Sequence, residues 1–282
     1  MNTHKTWFIT GASKGFGFEI TKAALDAGDK VVATVRNNDS ALYTSLNEHA
    51  NLFVVNMDVT NESDVKEAVA KAIDHFGKLD VVVNNAGYGI VGGIEEISDA
   101  EARKQYDTNV FGVLNVLRAT LPFLRKQKSG HIINVSSLFA FDPLIGWSLY
   151  GSTKNAVEGI SQGLAKELQP FGIGVTVIEP GLFRTGFTGK GSFVVAQNAI
   201  NDYENTIVGQ MRKRTSSFHG TQPGDPSKLA AVVVKLGHTE NPPLHLPIGT
   251  DSINNYNIYR DGLANDVNAW MKESLSTDYN IR

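Results

Sequence analysis

The 282-residue chain contains no cysteine. That absence excludes disulfide staples, thiolate metal ligands and a cysteine nucleophile. An excess of one charge is missing too: 26 Lys and Arg stand against 29 Asp and Glu, a formal net charge of −3. Such a balance argues against the basic surface that nucleic acid or anionic lipid attracts, so neither partner is expected. No stretch approaches the ~18 consecutive apolar residues of a membrane span. The opening MNTHKTWFIT lacks the apolar core of a secretion signal. The seven histidines, at 4, 49, 75, 131, 219, 238 and 245, show no ligand spacing, so no metal is expected. What these absences leave is a soluble, cytoplasmic globular protein.

The hydropathy pattern is rhythmic. Short β-branched runs at 6–10, 30–35, 51–56, 79–84, 130–136 and 173–178, with a weaker one at 244–248, read as strands. Helical patterns fall near 16–27, 39–49, 61–76, 99–127, 149–169 and 226–236. This alternation predicts βαβ units and a parallel sheet covered on both faces. Ser98-x-x-Glu101 has capping-box spacing, and Asp225-Pro226 pairs an N-cap acceptor with a proline at the first helical position. The rhythm breaks over 182–224 and in the polar segment 238–282, which has one expected helix. With no repeat or linker in view, residues 1–282 read as one domain, with a lid over about 182–224 and a tail over about 238–282.

The first strand runs into Thr10-Gly11-Ala12-Ser13-Lys14-Gly15-Phe16-Gly17 and then a helix. Small residues let backbone approach a pyrophosphate, and a helix start offers free N–H groups and positive dipole potential. At the first strand-to-helix turn of such an alternation, the loop points to a dinucleotide. Val35 occupies the end of the second strand, where an acid would hydrogen-bond a ribose 2′-hydroxyl. Arg36 follows it and Lys14 lies in the loop, two cations that suit a 2′-phosphate. The expectation is NADP, with NAD less favoured although Asp39 sits close by.

Tyr150 and Lys154 are four apart on a predicted helix and share a face. A nearby ammonium favours the phenolate, so the pair suits proton transfer. Ser137 ends the preceding strand, where its hydroxyl could orient a carbonyl oxygen, and parallel-sheet sites lie beyond strand carboxyl ends.

Over about residues 5–185 these motifs resemble the short-chain dehydrogenase/reductases. The loop from Thr10 to Gly17 is similar to that family's cofactor loop, Asp58-Val59 to its adenine-contacting pair, and Asn84-Asn85-Ala86-Gly87 to its sheet-centre motif. Asn109, Ser137 and Tyr150-Gly151-Ser152-Thr153-Lys154 match the catalytic positions, and Pro180-Gly181-Leu182-Phe183-Arg184-Thr185 the nicotinamide-side segment. The resemblance implies a Rossmann-type, doubly wound three-layer α/β sandwich with a parallel sheet of about seven strands, ordered 3-2-1-4-5-6-7. Gly11, Ser13, Lys14, Gly15, Phe16, Gly17, Arg36, Asp58, Val59, Asn85, Ala86, Gly87, Tyr150, Lys154, Pro180, Gly181, Phe183 and Thr185 would hold the cofactor. Tyr150 would donate a proton to the carbonyl oxygen while hydride leaves the nicotinamide. Lys154 would hold the ribose and depress the Tyr150 pKa, and Asn109 would anchor a water relay. A homodimer or homotetramer built on the helices near 99–127 and 149–169 is also implied.

The substrate is less constrained. Leu138, Phe139, Phe141 and Trp147 lie near the serine and tyrosine, and Phe183, Phe187, Phe193 and Phe218 crowd the lid region. Ser137, Phe139, Trp147, Tyr150 and Phe187 are the expected substrate contacts, for a fairly apolar ketone or aldehyde and its alcohol. Two other readings stand beside this one. A dinucleotide sensor would use the loop without turnover. Gly159-Ile160-Ser161-Gln162-Gly163 fits a hydrolase nucleophile elbow, but that chemistry needs Ser161 on a sharp turn, and the pattern keeps it mid-helix.

Overall fold

The computed structural model describes residues 4–36, 41–46, 49–185, 192–214 and 220–279. Asp39, Phe187 and Phe218 lie outside them. The chain begins with β1 (Thr6–Ile9), α1 (Gly15–Asp26), β2 (Lys30–Val35), α2 (Ala41–Leu46) and β3 (Leu52–Asn56). It continues with α3 (Glu62–Phe76), β4 (Val81–Asn84), a short β5 (Gly89–Val91), α4 (Asp99–Tyr106) and α5 (Gly112–Gln127). Next come β6 (Gly130–Val135), α6 (Ser148–Leu168), β7 (Ile173–Pro180), a short β8 (Phe193–Val195) and α7 (Ile207–Arg214). The last elements are α8 (Pro226–Gly237), β9 (His245–Ile248), α9 (Thr250–Ala269) and α10 (Met271–Leu275).

Seven strands form one parallel sheet in the order β3-β2-β1-β4-β6-β7-β9. With the short β5 and β8 set aside, this is the expected order. β1, β4 and the interior of β6 are buried throughout, as strands covered on both faces must be. On one face Val65, Val69, Val116, Leu124, Val157 and Leu164 of α3, α5 and α6 meet Phe8, Val82 and Ile132. On the other, Ile20, Ala24, Leu229 and Val233 of α1 and α8 meet Trp7, Ile9, Val31 and Ile133. The doubly wound three-layer sandwich follows directly from these two apolar faces.

Local chemistry sets the helix ends. Asn61 caps α3 by accepting from Ser63 N at 3.0 Å and Asp64 N at 3.4 Å, and Gly77 closes it at φ 80°. The Ser98/Glu101 box forms as the spacing requires, with Glu101 Oε2 accepting Ser98 N at 2.9 Å. Asp225 accepts Ser227 N at 2.9 Å ahead of Pro226.

Three differences from the sequence pattern stand out. The stretch read as one helix over 99–127 is broken by a π turn at 107–111 between α4 and α5. Gly112 there lies so close to Val59 that an added Cβ would sit 2.8 Å from Cγ2. The tail holds the expected strand as β9 beside β7, but two helices, α9 and α10, follow where one was expected. The lid region contributes α7 and β8, the latter pairing in parallel with β5. Three-residue strands carry too little alternation to be read from sequence.

A buried carboxylate pins one edge of the body. Asp29, fully buried, accepts from Lys5 N at 2.9 Å, Trp7 Nε1 at 2.8 Å and His238 Nε2 at 2.8 Å. It therefore ties the entry of β1, the α1–β2 turn and the end of α8. Replacing Asp29 by Ala orphans a buried indole N–H and an amide, a loss of about 3 kcal/mol. Urea unfolding measures it, and a change below about 1 kcal/mol would show that Asp29 is dispensable.

Candidate active site

The carboxyl ends of β1, β2, β4, β6 and β7 open on one cavity of about 960 Å³. Its one end is backbone. Gly11, Ser13, Lys14, Gly15 and Phe16 line it, and Gly11 and Gly15 adopt φ of +66° and +58° that side chains resist. Lys14 is the N-cap of α1 and its side chain makes no cap bond. The first turn holds no acidic residue either. An N-terminus left this way suits a pyrophosphate. Gly17 does not line the cavity. A Cβ on it would lie 2.5 Å from Gly11 O and 2.6 Å from Asn85 Nδ2, so its part is to let α1 close against the loop.

The loop is braced by Asn85, whose Nδ2 donates to Thr10 O at 2.9 Å and Gly11 O at 3.1 Å. Thr10 Oγ1 in turn accepts the Asn85 and Ala86 amides at 2.9 and 3.0 Å. Asn84 faces the sheet instead, donating to Asn134 Oδ1 at 2.8 Å, a tie between strands. Arg36, Asp58, Val59, Asn85, Ala86 and Gly87 all reach the cavity, as do Pro180, Gly181, Phe183 and Thr185. Asp58 does not cap α3; its Oδ1 accepts Thr60 N at 2.9 Å and Thr60 Oγ1 at 2.8 Å. The Lys14 pKa is lowered by partial burial and by the neighbouring Arg36 charge.

The other end holds the serine, tyrosine, lysine and asparagine singled out in the sequence. Tyr150, Lys154 and Ser137 are all buried, and Tyr150 hydrogen-bonds Ser137. Lys154 Nζ donates to Val135 O at 2.8 Å and lies 5.6 Å from the Tyr150 ring centroid. Asn109 stands in the π turn, accepting Tyr88 N at 3.1 Å while donating to Tyr88 O at 2.9 Å and Thr153 Oγ1 at 3.0 Å. π turns recur at functional positions because the widened backbone re-aims side chains. A Cβ on Gly87 would lie 3.2 Å from Asn109 Oδ1 and 3.6 Å from Lys154 Nζ, so both converge beneath that glycine. The expected depression of the Tyr150 pKa is not what the geometry yields. Burial raises it well above the ordinary phenol range, with only the Ser137 hydrogen bond opposing, so the phenol stays protonated. Burial lowers Lys154 to about 8, against the charge of Glu158.

Ser161 sits mid-α6, fully buried, its Oγ donating to Val157 O at 2.6 Å and accepting from Asn134 Nδ2 at 2.7 Å. The nucleophile elbow therefore does not exist. Apolar side chains close the remaining wall. Phe139 and Trp147 line the cavity with Leu138, Leu144 and Met211, and Phe193 backs Trp147 at 5.4 Å between centroids. Phe141 turns away to Tyr256 and Tyr259 of α9, at 5.3 and 5.7 Å. Phe183 belongs to the loop end, edge-on to Phe16 at 5.3 Å, rather than over the substrate wall.

Sequence reading missed the bolt on this wall. Glu96, fully buried, accepts Gly93 N at 2.8 Å and Ile200 N at 3.0 Å and pairs with Arg212 of α7 at 3.3 Å. Arg212 also meets Glu204 at 3.0 Å. No spacing in the chain links residues 96 and 212, so only the fold reveals the pair. Met211 beside Arg212 is what this bolt presents to the cavity. Arg212→Met leaves Glu96 buried without its cation, a loss of about 3 kcal/mol local to this segment. Limited proteolysis within 192–214 should quicken severalfold; an unchanged rate would mean that the pair does not hold the wall.

Comparison with known proteins agrees with this geometry. The family model for short chain dehydrogenase matches residues 5–192. Oxidoreductase BOA17 of Botryotinia fuckeliana is 38% identical over 275 residues, 97% of this chain and 99% of that one. The solved short-chain dehydrogenase from Streptomyces avermitilis superimposes with a TM-score of 0.88 at 36% identity, covering 98% of this chain and all of the other. The 3-ketoacyl-(acyl-carrier-protein) reductase from Brucella melitensis, solved with NADH, aligns with a TM-score of 0.74 at 28% identity over 88% of this chain and 98% of that one. With the motif order, the sheet and the Ser/Tyr/Lys/Asn cluster all in place, the chain belongs to the short-chain dehydrogenase/reductase family of oxidoreductases.

Proposed function

We propose that the protein is an NADP-dependent reductase of apolar ketones or aldehydes. One observation carries the reading: the buried Ser137, Tyr150 and Lys154 share a single cavity with the glycine loop at the N-terminus of α1. The residues fit a dinucleotide, because the cradle at Gly11 and Gly15 is backbone that only glycine easily adopts. Bound there, the nicotinamide supplies a hydride to the carbonyl carbon. Ser137 Oγ orients the carbonyl oxygen, and Tyr150, protonated at neutral pH, donates to it. Lys154 places its ammonium by the ribose side and Asn109 fixes the π turn behind it.

NADP over NAD rests on the charge at the loop. Lys14 and Arg36 repel one another across the cavity rim, and a 2′-phosphate would relieve that repulsion. Val35 at the end of β2 is buried and offers a ribose hydroxyl nothing. The apolar substrate rests on Leu138, Phe139, Leu144, Trp147 and Met211, with no charged side chain among them. The same reading takes residues 1–282 as one cytoplasmic domain that forms a homodimer or homotetramer through α5 and α6. Gly159 and Gly163 of α6 face open space, where a second helix can approach closely. Among the described residues no helix is long and apolar enough to cross a membrane.

A panel of aryl and alkyl ketones with NADPH or NADH, followed by nicotinamide absorbance, tests the activity. Tyr150→Phe should lower kcat at least a thousandfold, about 4 kcal/mol, with cofactor Kd nearly unchanged; turnover near wild type would remove Tyr150 as the proton donor. Arg36→Asp should invert the NADPH/NADH preference by one to two orders of magnitude, about 1.4–2.8 kcal/mol. An unchanged ratio would remove Arg36 from the phosphate.

A further inference from the structure

Behind Lys154, on the side away from the cavity, lies a group of ionisable side chains that the proposed reaction does not use. Glu158 is one turn on from Lys154 along α6 and therefore on the same face. It is 4% exposed, and neither carboxylate oxygen has a well-formed hydrogen bond among the described residues. Glu179 of β7 is fully buried, its Oε2 accepting Leu246 N at 2.9 Å. His245 of β9 reaches both carboxylates through Nδ1, 3.0 Å from Glu179 Oε1 and 3.3 Å from Glu158 Oε2. One polar atom from each of the three side chains falls within 4.8 Å of the others.

Two carboxylates this close and this buried do not both ionise without cations to match. The groups facing them are few. Lys154 comes from α6, His245 from β9 and the Ser136 hydroxyl from the end of β6. Asp251 at the start of α9 is turned to Leu182 N at 2.6 Å and Ser252 N at 3.0 Å, and brings no positive charge. His245 is partly buried, which holds it below the ordinary imidazole range. One ammonium therefore faces two carboxylates, and the remaining balance is one proton. Glu179 is the place for it, because its burial, and after that the Glu158 charge, pushes it up.

We propose that the ionised Glu158 carboxylate is a positioning residue that holds the catalytic Lys154 in its ammonium form, and that Glu179 carries the proton that leaves Glu158 free to ionise. The proposal rests on Tyr150 and Lys154 performing the proton chemistry assigned above. Burial alone draws Lys154 down towards neutrality, and the Glu158 charge is what opposes it. Without that charge Lys154 loses its proton at lower pH, and the alkaline limb of activity moves down with it. The contribution is felt where Glu158 is ionised, from about pH 7 upward, and ends once Lys154 itself is neutral above about 8.

The test is a lysine side-chain NMR titration of the cofactor-free protein, with Lys154 assigned through Lys154→Arg. It requires no turnover, so a chain inactive on every carbonyl but titrating as described would overturn the function and leave this inference standing. Glu158→Gln should lower the Lys154 midpoint by about one pH unit or more. Glu179→Gln, an uncharged mimic of the protonated acid, should leave that midpoint within about 0.3 units of wild type. In active protein the alkaline limb of kcat/KM should follow the same pattern. An unmoved midpoint in Glu158→Gln, or an equal fall in both variants, would overturn the proposal. If Glu158→Gln does not fold, infrared spectroscopy decides. The carboxylic-acid C=O band of wild type at pH 8 should vanish in Glu179→Gln, and its persistence there would place the proton elsewhere.

Discussion

The hydrogen bond from Lys154 Nζ to the Val135 carbonyl, 2.8 Å long and buried, is the joint on which this site depends. It fastens α6 to the end of β6, and so brings Tyr150 from the helix against Ser137 from the strand. A lysine buried this deeply loses most of its hydration, and the Val135 carbonyl replaces part of it. The same burial keeps the Tyr150 phenol protonated and lowers the hold of Lys154 on its own proton. Desolvation thus sets both groups, phenol and ammonium. Direct attraction between them is secondary.

The sheet explains why these groups and a dinucleotide can share one cavity. All seven strands run in parallel, so their carboxyl ends gather on one edge and each helix N-terminus begins there. α1 contributes its N-terminus, β4 leads into the Asn85–Gly87 turn, and β7 ends at Pro180 ahead of Gly181. α9 locks that last turn: Asp251 accepts Leu182 N, and any side chain on Gly181 would collide with its carboxylate. β9 and the start of α9, both in the polar C-terminal segment, are therefore part of the framework. Across the cavity, the buried Glu96–Arg212 pair lies behind the apolar wall that includes Met211.

Most of this was legible before any coordinates, for identifiable reasons. Parallel strands covered on both faces are continuous apolar runs, and six of the seven announced themselves as such. Thr10–Gly17, Asn109, Ser137 and Tyr150–Lys154 carry their meaning in local spacing and order. What stayed hidden depends on contacts between residues far apart in the chain. Glu96 with Arg212 and Glu158 with Glu179 and His245 are joined by no period or motif. The π turn at 107–111 leaves no mark on a helical pattern, although it is what turns Asn109 towards Tyr88 and Thr153. Side-chain direction was the other blind spot: Phe139 and Phe141 are two apart, yet one faces the cavity and the other faces α9.

The central claim is that one cavity delivers hydride to a carbonyl carbon on a fixed face while Tyr150 supplies the proton. Reduction of an aryl ketone with NADPH carrying a single deuterium at nicotinamide C4, in each of its two configurations, tests it directly. Mass and NMR analysis of the alcohol should find deuterium on the carbinol carbon from one configuration only, with one product enantiomer dominant and the hydroxyl proton drawn from water. Deuterium from both configurations, or none on the carbinol carbon of any reduced ketone, would contradict the account.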